Sequence, residues 1–157
     1  MTNVEVLQRC PLFKDFTEVG LKIFAEMAVP KTVPPGSPLF AENMVGEALF
    51  IVKSGTVRVT QRAASGEREL AILGPGEALG ALAVLAKGVR LVSAVAVTPL
   101  EVLEIAHRDY FKKIPEKPQA CLKLALAIAA DLAGKAADSR EALREVHGKK
   151  TAPGPER

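Results

Sequence analysis

The sequence predicts a mainly β domain, a sandwich or barrel of short strands, with helical segments on either side of it. Two patterns point there. Glycines fall at 36, 46, 55, 66 and 76, about every ten residues, with short β-branched runs between them. Turn signals at that spacing mark all-β sandwiches and barrels. Outside that zone apolar residues recur at helical spacing instead. A chain of 157 residues suits one such domain with an ordinary core.

The first zone, Val4 to Val29, is expected to be helical. Thr17 is a suitable cap, because its hydroxyl can accept an N–H that the first turn leaves unpaired. Leu21, Phe24 and Ala28 then recur along one face, and Leu7, Leu12, Phe13 and Phe16 form an apolar lead-in. The β zone runs from Lys31 to Ile105. Leu49–Val52, the turn Lys53-Ser54-Gly55 and Thr56–Val59 are expected to form a hairpin. A second turn at Ser65-Gly66 returns through Glu69–Ile72, and Arg90–Val97 and Leu100–Ile105 supply two further strands. Leu79–Ala86 is Ala- and Leu-rich with only Val84 β-branched, which predicts a helical turn inserted between strands.

The last zone starts with Tyr110–Ile114, is interrupted at Pro115 and Pro118, and continues as a long helix from Gln119 to about Val146. Leu122, Ala129, Ala136 and Leu143 stand seven apart, with Ala125, Leu132, Ser139 and Val146 as a companion series. The first half of this helix suits packing on its own domain and the second half a partner helix, so a homodimer through it is expected. The domain is therefore placed at 1–147, divided into 4–29, 31–105 and 107–147. Residues 148–157, with Pro153-Gly154-Pro155, are expected to be a disordered tail.

Composition narrows the function classes. The net charge of +3 is modest and the basic residues are scattered rather than gathered into a stripe, which argues against a nucleic-acid surface. No basic-then-apolar leader opens the chain and no apolar run is long enough for a bilayer, so a cytoplasmic protein without a membrane partner is expected. Cys10 and Cys121 are expected to be small buried hydrophobes, and His107 and His147 stand apart from other ligand types, so no metal is expected. Nothing resembles a nucleophile–base pair or paired carboxylates; Glu101, Glu104 and His107 are assigned to the surface or a helix start, and no catalytic residue is named.

Several segments, taken in order, resemble the cyclic-nucleotide-binding domains of bacterial CRP-type regulators, kinase regulatory subunits and gated channels. These are Cys10–Phe16, Val33-Pro34-Pro35-Gly36 with Leu39-Phe40, Glu47–Val59, and Leu73-Gly74-Pro75-Gly76. The resemblance covers Leu7 to about Val146 and implies a stand-alone jelly-roll β-barrel with an N-terminal helical segment and a long C-terminal helix. It implies no resident cofactor, but cyclic AMP or cyclic GMP as a regulatory ligand.

The ligand chemistry is then expected between Leu79 and Val97. A short helix start at Gly80, Ala81 and Leu82 offers backbone N–H groups to an anion, and a guanidinium supplies a forked countercharge. Arg90 stands where the family's phosphate-binding arginine would, and Ser93 at its hydroxyl position. Leu79, Leu91 and Val92 complete the expected site, with Lys135 and Ala136 as base contacts. The resemblance also exposes departures. Ala81 replaces the ribose-binding Glu, at an expected loss of about 1–3 kcal/mol, and the bulky Val89, Leu91 and Val92 narrow the pocket. Two functions are then expected: a regulatory module that binds a cyclic nucleotide or a related phosphorylated ligand and relays it to a protein partner through its C-terminal helix, or a ligand-free dimerisation or docking scaffold. The chain ends about ten residues past the expected helix, which leaves no room for a helix-turn-helix, so DNA is not expected as a partner.

Overall fold

The structure, a computed structural model, describes residues 1–151, with side chains described for residues 1–138. The N-terminal zone is not one helix but three pieces: α1 (Asn3–Gln8), a 3-10 turn at Pro11–Phe13, and α2 (Glu18–Met27). Local chemistry sets the breaks. Thr2 and Glu5 close a reciprocal capping box on α1, at 3.1 and 2.8 Å. Pro11 cannot continue the helix before it, and Thr17 restarts one, its hydroxyl accepting the Gly20 N–H at 3.2 Å as expected. Val29 precedes Pro30, which disfavours helical backbone at that position, and it opens β1 (Val29–Val33) instead.

Nine further strands follow: β2 (Pro38–Phe40), β3 (Val45–Gly46), β4 (Ala48–Ser54), β5 (Val57–Ala63), β6 (Gly66–Leu73), β7 (Ala78–Leu79), β8 (Gly88–Val89), β9 (Ser93–Ala96) and β10 (Leu100–Ala106). They form two antiparallel four-stranded sheets, ordered β1-β10-β4-β7 and β2-β9-β5-β6, and a small β3-β8 ribbon. The expected turn at Ser65-Gly66 is a true hairpin, with Ala63 opposite Gly66. The expected Leu49–Val59 hairpin is not. β4 pairs with β10 and β7, whereas β5 pairs with β6 and β9, so the chain crosses between sheets at Gly55. There φ is +93°, and a Cβ would lie 2.2 Å from the Pro99 carbonyl oxygen.

The apolar run of β4 explains why two cores form. Side chains alternate across a strand, and Ala48–Val52 are all buried. Leu49 and Ile51 face the helices with Leu103 and Ile105, joining Leu7, Phe13, Phe24, Leu124 and Ile128. Phe50 and Val52 face into the roll with Val57, Ala94, Leu100 and Val102. A strand buried on both faces shows a continuous rather than alternating apolar pattern.

After β10 come α4 (His107–Lys113) and α5 (Pro118–Thr151), with α3 (Leu82–Leu85) as the expected inserted turn. The Tyr110 hydroxyl donates to the Cys121 carbonyl at 2.5 Å, joining α4 to α5. With 34 residues, α5 is about 51 Å long. It seats Cys121, Leu124 and Ile128 in the core, while Ala129–Asp138 are exposed. Of the expected seven-residue series, Leu122 and Leu132 are exposed, and Ser139, Leu143 and Val146 lie outside the described side chains. The helix passes its expected end to reach Thr151; the rest of the expected tail, 152–157, lies outside the described residues. Cys10 and Cys121 are both buried and unpaired. No described helix is long and apolar enough to cross a membrane.

Candidate ligand-binding cleft

A cleft of about 420 Å³ opens between the α3 turn and α5, walled by Phe40, Gly80–Ala83, Val89–Val92, Asp131, Leu132 and Lys135. Its position follows from the chain path. The loop before β4 fastens the segment before β9 from behind: Asn43 N–H donates to the Arg90 carbonyl at 2.8 Å, and Arg90 N–H donates to the Met44 carbonyl at 2.7 Å. β3 pairs with β8 one step further along. Arg90 is thereby presented beside the α3 turn. In that turn Ala83 and Val84 donate to the Gly80 and Ala81 carbonyls at 3.1 and 3.2 Å. The Ala81 and Leu82 amides precede those bonds and make no backbone bond among the described residues.

Arg90 dominates the electrostatics. It is only 8% exposed. Nη2 donates to the Ala48 carbonyl at 2.8 Å and Nη1 to the Gly80 carbonyl at 3.4 Å, while Nε has no partner among the described residues. The guanidinium lies 4.2 Å from the centre of the Phe40 ring, a close cation–π contact. Burial pulls its pKa below the ordinary value, and the charge of Glu104 works the other way. Two glycines make room for it: a Cβ on Gly80 would stand 2.1 Å from Nη1, and one on Gly46 would stand 2.3 Å from Nε. A second cleft of about 370 Å³, lined in part by Glu47, Lys87, Glu104, His107 and Arg108, also counts Arg90 and Phe40 in its wall. Glu104 thus lines a cleft rather than the open surface to which the sequence assigned it. His107 Nδ1 lies 3.0 Å from the Val84 carbonyl oxygen, which ties α4 to the α3 turn.

The structure gathers Gly80, Ala81, Leu82, Arg90, Leu91, Val92 and Lys135 at one cleft. It does not bring Leu79, Ser93 or Ala136 to the lining. Leu79 is buried inside the roll through its pairing with Phe50. Ser93 Oγ accepts the Glu42 N–H at 2.8 Å, because β2 and β9 pair beside it. Ala136 is exposed on α5, outside the lining. Nor is Arg90 on a strand, since β9 begins only at Ser93. Sequence reasoning missed Phe40, Gly46 and the Ala48 carbonyl around Arg90, and Asp131 at the cleft. Only Asp131 left a local signal: it stands four residues before Lys135, and the two pair at 3.1 Å.

Known proteins resemble this chain in sequence and fold. The family model described as "Cyclic nucleotide-binding domain" matches residues 30–116. The chain is 36% identical over 120 residues to the cyclic AMP receptor protein of Thermus thermophilus, covering 76% of this chain and 56% of that protein. It is 29% identical over 124 residues to a CRP-like cAMP-activated global transcriptional regulator of Mycobacterium tuberculosis, covering 76% of this chain and 55% of that one. The crystal structure of the Thermus thermophilus catabolite activator protein superposes with a TM-score of 0.81 at 32% identity, over 90% of this chain and 65% of that one. The chain therefore spans about half the length of the curated relatives it matches.

These relatives correct one expectation. DNA was excluded as a partner on the chain's length, yet the chain resembles a cyclic AMP receptor and a transcriptional regulator of which it spans only 55–56%. Length gives no ground for that exclusion, and it is withdrawn. The mainly antiparallel jelly roll, the long C-terminal helix and the match over residues 30–116 agree in one conclusion: this chain belongs to the cyclic nucleotide-binding domain family.

Proposed function

We propose that this chain is a non-enzymatic regulatory module that takes a cyclic nucleotide into the cleft between the α3 turn and α5. One observation carries the proposal: a buried arginine borders the same cleft as two backbone amides that have no backbone partner among the described residues, with the long helix as the opposite wall. Arg90 counters the phosphate, and the Ala81 and Leu82 amides donate to it. Leu91, Val92 and Leu132 bound the apolar side, and Lys135 stands within reach of the base. The 1–147 unit then acts in the cytoplasm, and α5 relays occupancy to a partner protein. A ligand shifts that helix only as far as its affinity differs between the two positions.

A second function, a ligand-free dimerisation or docking scaffold, is favoured by a different observation. Ala81 offers no carboxylate to a ribose, and Ser93, whose hydroxyl accepts the Glu42 N–H, lies outside the cleft lining. Thermal denaturation with and without millimolar cyclic AMP or cyclic GMP, repeated on Arg90→Ala, separates the two. A ligand at a hundred times its dissociation constant adds about 2.7 kcal/mol. A melting shift in wild type that vanishes in Arg90→Ala supports sensing; no shift with either nucleotide supports the scaffold.

A further inference from the structure

Arg90 is held by groups of the protein itself, two of which, Phe40 and Gly80, also line the cleft. Its charge faces two neutral carbonyls and two aromatic rings, Phe40 at 4.2 Å and Phe50 at 5.7 Å, and no carboxylate lies within ion-pair distance among the described residues. The pocket that accepts it inward is cut by Gly46, which lies on β3, outside the Leu79–Val97 segment. Gly46 has no left-handed backbone, so glycine is needed there for room alone. A Cβ would stand 2.3 Å from Nε and 2.5 Å from Cζ, so alanine at this position obliges the guanidinium, the far end of a flexible side chain, to swing away. Nε itself makes no hydrogen bond among the described residues, which leaves this arrangement short of the full set of partners a buried guanidinium can take.

A phosphate is the stronger partner for such a charge. Two of its N–H donors are turned to the Ala48 and Gly80 carbonyls and its face lies against Phe40, so this seat and a forked phosphate pair draw on the same guanidinium. We propose that Gly46 creates an inward seat for Arg90 that competes with the ligand, making Gly46 and Phe40 positioning residues that set the affinity of the cleft. This rests on Arg90 being the phosphate partner. Apparent affinity falls in proportion to the fraction of molecules with the arginine available, so emptying the seat tightens binding.

The test uses the full chain with Gly46→Ala, which fills the seat, and Phe40→Leu, which removes the ring without adding atoms. Circular dichroism establishes that both variants are folded. In wild type the Arg90 Nε–H resonance should be ring-shifted upfield and slow to exchange, and in Gly46→Ala it should move to the position of a solvated arginine. Calorimetric titration with cyclic AMP should give about tenfold tighter binding for Gly46→Ala and a few-fold for Phe40→Leu. Equal or weaker binding in both folded variants overturns the competition while leaving the ligand assignment standing. Absence of binding in wild type and both variants overturns the two together. A freely exchanging Arg90 Nε–H in wild type removes the seat itself.

Discussion

The crossing at Gly55 can be tested by adding one methyl group. Gly55→Ala meets two penalties that the structure separates. The first is conformational: φ is +93°, where a side chain costs about 1–2 kcal/mol. The second is steric. The new Cβ would lie 2.2 Å from the Pro99 carbonyl oxygen and 3.0 Å from the Leu100 Cα. Both contacts are backbone, and Leu100, 1% exposed, starts the central strand β10. Displacing them resembles overpacking a core, at about 1–3 kcal/mol. The sum is about 3 kcal/mol, or a fall of about 6–12 °C in Tm for a domain of this size. Gly36→Ala is the control, since its φ is +84° with nothing within 4 Å of the added atom. It carries the first penalty only, and any unfolded-state gain from replacing glycine is common to both variants. Calorimetric melting of the two should show Gly55→Ala falling about twice as far. Equal falls would refute the close approach of Gly55 to Pro99, and with it the crossing between sheets.

Three further perturbations have signs set by the structure. Ala81→Glu returns a carboxylate to the cleft wall and should tighten cyclic AMP binding by about ten- to a hundredfold in calorimetric titration. The 2′-deoxy analogue should gain nothing; equal gains for both ligands would mean that the carboxylate does not reach the ribose. Tyr110→Phe removes the buried bond to the Cys121 carbonyl and should lower Tm by about 2–6 °C; an unchanged Tm would show that this link between α4 and α5 contributes nothing. Alkali should weaken the fold from about pH 9 upward. Burial raises the Cys10 thiol from 9.0 to about 11, so the unfolded chain loses that proton first. The stability present below pH 9 is lost as the pH climbs through 11. Tyr110, raised from 10.0 to about 12, extends the loss to higher pH by the same sign. Urea midpoints should fall between pH 8 and pH 10.5, and fall less in Cys10→Ala; a flat profile in wild type would contradict the burial of the thiol.

Much of the fold was legible because its signals are local. Turn glycines, the Thr17 cap and the Ala/Leu composition of the inserted turn are properties of a few adjacent residues. Strand partnership is not. Lys53-Ser54-Gly55 looks like a hairpin turn, and what makes it a crossing is Pro99, far along the chain, standing where the glycine leaves space. The apolar run Ala48–Val52 signals burial on both faces without saying which core takes which face. The site divides in the same way. Gly80 to Leu82 and Arg90 to Val92 are near neighbours in sequence, and their cleft was expected from one segment. Ser93 was placed with them for the same reason, but strand pairing to β2 turns it to Glu42. Gly46, Phe40 and Ala48 reach Arg90 only through tertiary folding, and nothing in their own neighbourhoods announces it.

The assignment of the cleft is tested most directly by amide and arginine side-chain NMR of the full chain during titration with cyclic AMP. Saturable shifts should concentrate at the Ala81 and Leu82 amides, the Arg90 guanidinium and the facing turn of α5 around Leu132, and should disappear in Arg90→Ala. Shifts confined to other surfaces, or none at millimolar nucleotide, would contradict a cyclic-nucleotide site at this cleft.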